Sequence, residues 1–170
     1  MNHIVKVIII LLTIYAIIPT LLIRIFGFGV FRKGKNSPGI ALTFDDGPDL
    51  EFTPRLLDLL ARYKIRATFF VLGSKAERLP EIIQRMHNEG HLIGVHNYMH
   101  WSNAIMSPWK VRKQLDHSVH IIEQIIGKRP VYYRPPWGVI NLFDFLLLKK
   151  VSHGALVDYR RRLEQQGREG

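Results

Sequence analysis

The sequence predicts an α/β fold with parallel strands, as a barrel or an open sheet, preceded by an apolar N-terminal helix. Three observations carry this. Short β-branched and aromatic runs alternate with helical patterns from about residue 40 to 150. The residues able to do chemistry fall just after the ends of those runs, where parallel α/β folds gather their sites. An uncharged run from Val7 to Ile23 precedes them all.

That first run is broken only by Thr13, Tyr15, Pro19 and Thr20. Its length lies at the short end of what crosses a bilayer. No small-residue cleavage site follows, so an uncleaved signal anchor over residues 1–26 is expected. Lys6 precedes the run, while Arg24, Arg32, Lys33 and Lys35 follow it. The positive-inside rule would leave the rest in the cytoplasm. Residues 27–38, with Asn36, Ser37 and Pro38, read as a linker.

Ile40 to Phe44 reads as a buried strand, closed by Asp45-Asp46-Gly47-Pro48. Adjacent carboxylates repel, so a metal, an arginine or a shared proton is needed to hold the pair. An Asp-rich turn is the plain alternative. Thr53-Pro54 marks a helix start, and Leu56, Leu57, Leu59 and Leu60 give that helix its apolar face as far as Tyr63. A strand follows over Ile65–Leu72. A helix is expected from about Lys75 to Glu89, with Pro80 inside it and Gly90 as its stop. His91–His96 reads as a third strand. Ser107-Pro108 opens a long helix with Val111, Leu115, Val119, Ile122 and Ile126 on one stripe, closed by Gly127. Val131–Arg134 is a fourth strand, and Leu142–Lys150 a further helix. Gly154–Tyr159 could add a strand, and residues 160–170 form a polar tail.

Composition narrows the chemistry. With 170 residues, 47% hydrophobic and 22% charged, the chain can bury one domain's core. It has no cysteine, which excludes disulfides, thiolate metal sites and cysteine nucleophiles. The net charge of +10 suits an anionic partner such as lipid or a cell-wall polymer. The basic residues are scattered and match no nucleic-acid motif, so no nucleic-acid partner is expected.

His96-Asn97-Tyr98-Met99-His100 follows the third strand. In a helical turn its imidazoles would share a face, as two ligands of one metal do. With Asp46 they would make a two-histidine, one-carboxylate set; a surface histidine pair is the alternative. Arg134-Pro135-Pro136-Trp137-Gly138 follows the fourth strand as a rigid turn. It could supply an arginine to a carboxylate and an indole wall to a sugar, or be a structural corner.

Thr43-Phe44-Asp45-Asp46-Gly47, His96-Asn97-Tyr98-Met99-His100 and Arg134-Pro135-Pro136-Trp137-Gly138 resemble, in order, the first three motifs of the polysaccharide deacetylases. These are the family-four carbohydrate esterases with a NodB homology domain. The resemblance covers roughly Gly39–Lys150. It implies an incomplete, distorted (β/α) barrel over 39–159 and hydrolysis of acetamide bonds in peptidoglycan or chitin-like glycans. It implies Asp45 as catalytic base, oriented by Arg134. Asp46, His96 and His100 become ligands of a divalent metal, zinc or sometimes cobalt. Trp137, with Pro136 and Tyr133, becomes the substrate contact. The Trp137 N–H becomes an oxyanion donor, a group whose loss typically costs about 3 kcal/mol.

The chain departs from that pattern at two places. Asn97 stands where the family usually has Ser or Thr. After Lys150 neither of the two later family motifs occurs, including the Leu-x-His that supplies the acid. A truncated chain is therefore expected, its domain outside the membrane because a cell-wall polymer lies there. The competing expectations are a non-catalytic, membrane-anchored metal- or glycan-binding remnant and, more weakly, a cytoplasmic Asp-Asp phosphatase. The phosphatase would leave both histidines idle.

Overall fold

In the computed structural model, residues 2–26 and 41–144 are described. The linker, the expected helix at 142–150 beyond residue 144, and the segment from 145 to the end lie outside them. The N-terminal helix comprises α1 (His3–Leu12), a π-helical turn (Thr13–Ile17) and α2 (Ile18–Phe26). Then follow β1 (Thr43–Gly47), α3 (Phe52–Arg62), β2 (Thr68–Val71), α4 (Gly73–Arg78), α5 (Pro80–Asn88), β3 (Leu92–Val95) and α6 (Pro108–Ile126). Short 3-10 turns occupy Asn103–Ile105 and Pro136–Gly138.

The three strands form a sheet in the order β1-β2-β3, and both pairings are parallel. The expected fourth strand reduces to one parallel bridge, Val95 with Tyr133. It is secured by Val95 N–H to the Tyr132 carbonyl at 2.7 Å and Arg134 N–H to the Val95 carbonyl at 2.9 Å. Pro135 and Pro136 lack N–H donors, so the pairing cannot continue. α3, the α4–α5 pair and α6 each cross from one parallel partner to the next, as parallel pairing requires. The C-terminal ends of β1 and β3 and the bridge at Tyr133 therefore share one edge of the fold.

β1 differs from the buried strand expected. Most of its residues are exposed, because it is the edge of the sheet among the described residues. β2 is buried throughout. Leu57, Val71, Ile83, Met86 and Ile122 are fully buried and form the centre of the core. The α6 stripe packs as its spacing predicts: Val111, Leu115, Val119 and Ile122 are buried and Ile126 lies against the cluster. Ser107 Oγ caps α6 by accepting the Lys110 N–H, and Gly127 ends it at φ 66°.

Two helix boundaries moved. Pro80 does not sit inside one helix but opens α5 at its first position, where its missing N–H costs nothing. α3 is capped by Asp49, whose Oδ1 accepts the Glu51 and Phe52 N–H groups at 2.9 and 2.8 Å. The Thr53 hydroxyl accepts the Asp49 N–H instead of serving as the cap.

His91, ahead of β3, is buried, and its Nδ1 accepts the Ala67 N–H at 3.1 Å. Burial holds its pKa below the ordinary imidazole value of 6.5. The native state thus favours neutral His91, and the unfolded chain takes up the proton first as pH falls. This contribution to stability is complete above about pH 6.5 and declines below it, towards the lowered native pKa. In chelator, melting temperature is expected to fall between about pH 7 and pH 5, and less so in His91→Phe. An equal fall in both would remove His91 as a cause.

Candidate active site

Each site residue is aimed by its backbone. β1 breaks register between Asp45 and Gly47, and Asp46 takes the left-handed conformation at φ 67°. The break turns the two neighbouring carboxylates to different partners. Lys75 Nζ holds the Asp46 carbonyl at 2.8 Å. At the end of β3 the chain makes an irregular turn over residues 96–100, not the helical one expected. Within it, Asn97 takes the left-handed conformation at φ 64°. The turn is clamped by Gly73 N–H to the Asn97 carbonyl (2.9 Å), Ser74 N–H to the Tyr98 carbonyl (3.1 Å) and Met99 N–H to Gln114 Oε1 (2.8 Å).

Four non-glycine residues have positive φ among the described residues, and three are Asp46, Asn97 and Trp137. A left-handed backbone costs a residue with a Cβ about 1–2 kcal/mol. Concentrating that cost where three loops meet is characteristic of a functional site.

Asp46 Oδ1 lies 3.3 Å from His96 Nε2 and 3.2 Å from His100 Nε2. One ligand atom from each of the three lies within 4.8 Å of the others. His96 Nδ1 is 2.6 Å from the Arg134 carbonyl, which can only accept, so that nitrogen carries the proton. Burial pushes the His96 imidazole below its usual pKa, against the Arg134 bond and the nearby carboxylates that raise it. Neutral His96 therefore turns a lone pair, not an N–H, towards the Asp46 carboxylate. Such an approach is favourable with a cation between them. Two imidazole nitrogens and one carboxylate oxygen suit zinc and its first-row neighbours. The donor set thus fits a divalent metal.

Asp45 faces elsewhere. Its Oδ1 accepts from Arg134 Nη1 at 2.7 Å, and the same nitrogen reaches the Thr43 hydroxyl at 3.1 Å. The guanidinium lies 4.1 Å over the Phe70 ring. Arg134 thereby ties the site together: its carbonyl orients His96 and its side chain orients Asp45. Gly94 permits this, since a Cβ there would sit 2.7 Å from Phe70 Cδ1 and 3.1 Å from Tyr132 Cβ. Gly94→Ala is expected to cost about 1–3 kcal/mol through overpacking. It should also cut turnover by shifting the ring under Arg134. Paired melting and rate measurements check this; an unchanged melting temperature would contradict the packing.

Of the three expected substrate contacts, only Trp137 is exposed, at 68%. Its ring lies 5.1 Å from that of His100. Pro136 is fully buried, and Tyr133 is 4% exposed with its hydroxyl bonded to Asn97 and Asn103. Both are buried, in contrast to the exposed indole of Trp137. The cause is the Tyr133 bridge to β3, which turns that side chain inwards.

Sequence reasoning missed the support of this turn. Asn97 Oδ1 accepts from the Tyr133 hydroxyl, and Asn97 Nδ2 donates to Asn103 Oδ1, both at 2.9 Å. Asn103 Nδ2 donates to Tyr133 Oη (2.9 Å) and to Asp144 Oδ2 (2.8 Å). The available signal was an Asn just past a strand, a residue type that tolerates positive φ. Thr43, Phe70 and Lys75 carried no such signal.

A parallel α/β scaffold with a two-histidine, one-carboxylate group and a separate arginine-held carboxylate defines the class of site as a candidate metal centre. The comparisons make the class specific. The family model "Polysaccharide deacetylase" matches residues 32–149, and the chain belongs to that family. A peptidoglycan-N-acetylglucosamine deacetylase of Bacillus cereus is 47% identical over 110 residues, covering 65% of this chain and 40% of that protein. The crystal structure of the Bc1960 peptidoglycan N-acetylglucosamine deacetylase superposes with a TM-score of 0.62 at 44% identity, over 64% of this chain and 51% of that one. A family 4 acetyl xylan esterase from Clostridium thermocellum, solved with a cobalt ion, gives 0.54 at 43% identity over 56% and 47%. The chain thus spans about half or less of the length of these relatives.

Proposed function

We propose that this chain is a metal-dependent deacetylase of N-acetylated polysaccharide, of peptidoglycan or chitin type, releasing acetate from the acetamide group. The observation that carries this is the convergence of Asp46, His96 and His100 beside Asp45, which is held apart by Arg134. Asp46 Oδ1 and the two Nε2 atoms would hold the ion, zinc by preference and cobalt as an alternative. The chemistry supplied by such an ion is Lewis acidity, which polarises the acetyl carbonyl and lowers the pKa of water. Asp45 takes the proton of the attacking water on its carboxylate, in the orientation Arg134 fixes, and as the acetyl C–N bond then breaks the departing amine must take up a proton. The Trp137 N–H, presented by its left-handed backbone, donates to the developing oxyanion. The exposed indole lies against the sugar.

The same reading takes residues 39–159 as part of a NodB-type distorted barrel, 27–38 as a linker and 160–170 as a tail. It takes the N-terminal helix as a single-pass anchor with the domain outside the membrane. His3–Leu22 is long and apolar enough to cross a bilayer by length and composition.

The competing reading is an anchored protein that binds metal or glycan without turnover. Acetate release from N-acetylglucosamine oligomers in added zinc separates the two. Release that chelator abolishes supports the enzyme. Metal binding without release supports the second reading and overturns the first.

A further inference from the structure

Of the four interruptions of the N-terminal apolar run, Thr13 bonds back to the Ile9 carbonyl within the helix, whereas Tyr15 and Thr20 reach the domain. α1 buries no residue, whereas Ala16 and Pro19 further on are buried. Pro19 has no N–H, so the Tyr15 carbonyl lacks the donor that an α-helix would supply four residues later. Leu142 N–H fills that place at 2.8 Å. The Thr20 hydroxyl donates to the Ile140 carbonyl at 3.1 Å and accepts the Ile140 N–H at 3.2 Å. Tyr15 Oη donates to the Met106 carbonyl at 2.6 Å. The helix is thus fastened by directional bonds that fix its register.

From these fastenings two hydrogen-bonded routes reach the turn at 96–100. In the first, Asn141, between the two residues the helix holds, donates its N–H to Asp144 Oδ2 (2.9 Å) and its Nδ2 to the Asn103 carbonyl (3.1 Å). Asn103 then bonds Asn97 directly. In the second, Met106 Sδ accepts from Gln114 Nε2 at 2.9 Å, and Gln114 Oε1 accepts the Met99 N–H. Asn97, Asn103, Asn141 and Asp144 are essentially solvent-free, so an unmade bond among them is costly.

We propose that Tyr15 and Thr20 are positioning residues for the His96–His100 turn: the N-terminal helix, docked on residues 140–142 and Met106, holds Asn97 left-handed and so sets the spacing of the two imidazoles. This rests on the metal-site reading given above. Tyr15–Thr20 then belong to the domain, and the part of the helix left free to meet a membrane is His3–Leu12, which buries no residue.

Hydrogen exchange on the full chain in detergent micelles tests it, comparing the parent with Tyr15→Phe/Thr20→Val. Exchange is expected to quicken about ten-fold both at 139–144 and at 97–101, with β2 and α6 still protected. Cobalt(II) affinity should fall about 10–100-fold, as when an outer partner of a metal ligand is lost. Thr20→Ser, which keeps both bonds, should behave like the parent. Thr20→Val alone should show the same pattern at smaller amplitude, so a double variant that misfolds does not stop the test. Faster exchange at 139–144 with none at 97–101 overturns the proposal, and so does no change at either. A parent that binds no cobalt would instead overturn the metal-site reading, while the exchange pattern still decides the docking.

Discussion

Asp45→Asn is expected to reduce acetate release by about 10²–10⁴-fold, the usual worth of a positioned general base, while leaving metal affinity close to that of the parent. The geometry separates the two effects. Asp45 is not in the Asp46–His96–His100 group, and its Oδ1 is bonded to Arg134 at 2.7 Å. Asn keeps the shape and retains an oxygen that accepts from Arg134, so the β1 end and the bond from His96 to the Arg134 carbonyl stay in place. What is lost is the basic lone pair. Rates with an N-acetylglucosamine oligomer, alongside cobalt(II) titration followed by absorption, measure both halves. Unchanged turnover would remove Asp45 as the base. A parallel loss of metal would mean that the two carboxylates act as one unit.

The separation of those carboxylates was legible as a need but not as a geometry. The sequence shows two adjacent aspartates closing a strand; alternation along a strand would have placed them on opposite faces. The register break and the left-handed Asp46 decide the outcome, and neither has a local sequence signature beyond the following Gly-Pro. The α6 stripe and its caps were readable because spacing and capping are local. The β1 edge position was not, since the same apolar run serves an edge or a centre.

The histidine pair shows the limit differently. Spacing suggested a helical face for His96 and His100, and the residues do converge, yet through an irregular turn around Asn97. A one-dimensional pattern can pick out two residues that meet in space and still miss the backbone that joins them. Asn97 stands where the family usually has Ser or Thr. In the fold, Asn97 is fully buried and bonded to Tyr133 and Asn103. The burial of Tyr133 was hidden for a related reason: which side of a one-bridge strand an aromatic occupies depends on its neighbour in space. Likewise, Tyr15 and Thr20 interrupt a hydropathy pattern but make contacts with residues about 90 to 120 positions away, which no window could show.

Asp46→Asn is expected to do the reverse of the Asp45 change: metal affinity should fall by more than the roughly 100-fold that outer-shell changes reach, and activity should follow it down. Asn is the informative replacement because Asp46 sits at φ 67°, a conformation Asn tolerates and Ala does not. Asp46→Ala would mix the loss of a ligand with about 1–2 kcal/mol of backbone cost. Asp46→Asn leaves the turn, the Lys75 bond to the Asp46 carbonyl and the approach of the two Nε2 atoms intact. It removes the negative charge that the lone pairs of two imidazoles require beside them to hold a dication. Equilibrium dialysis with zinc, at matched melting temperature in chelator, reads the effect. Affinity retained within a few-fold would show that His96 and His100 hold the ion without Asp46, and the two-histidine, one-carboxylate assignment would fail while that of Asp45 could still stand.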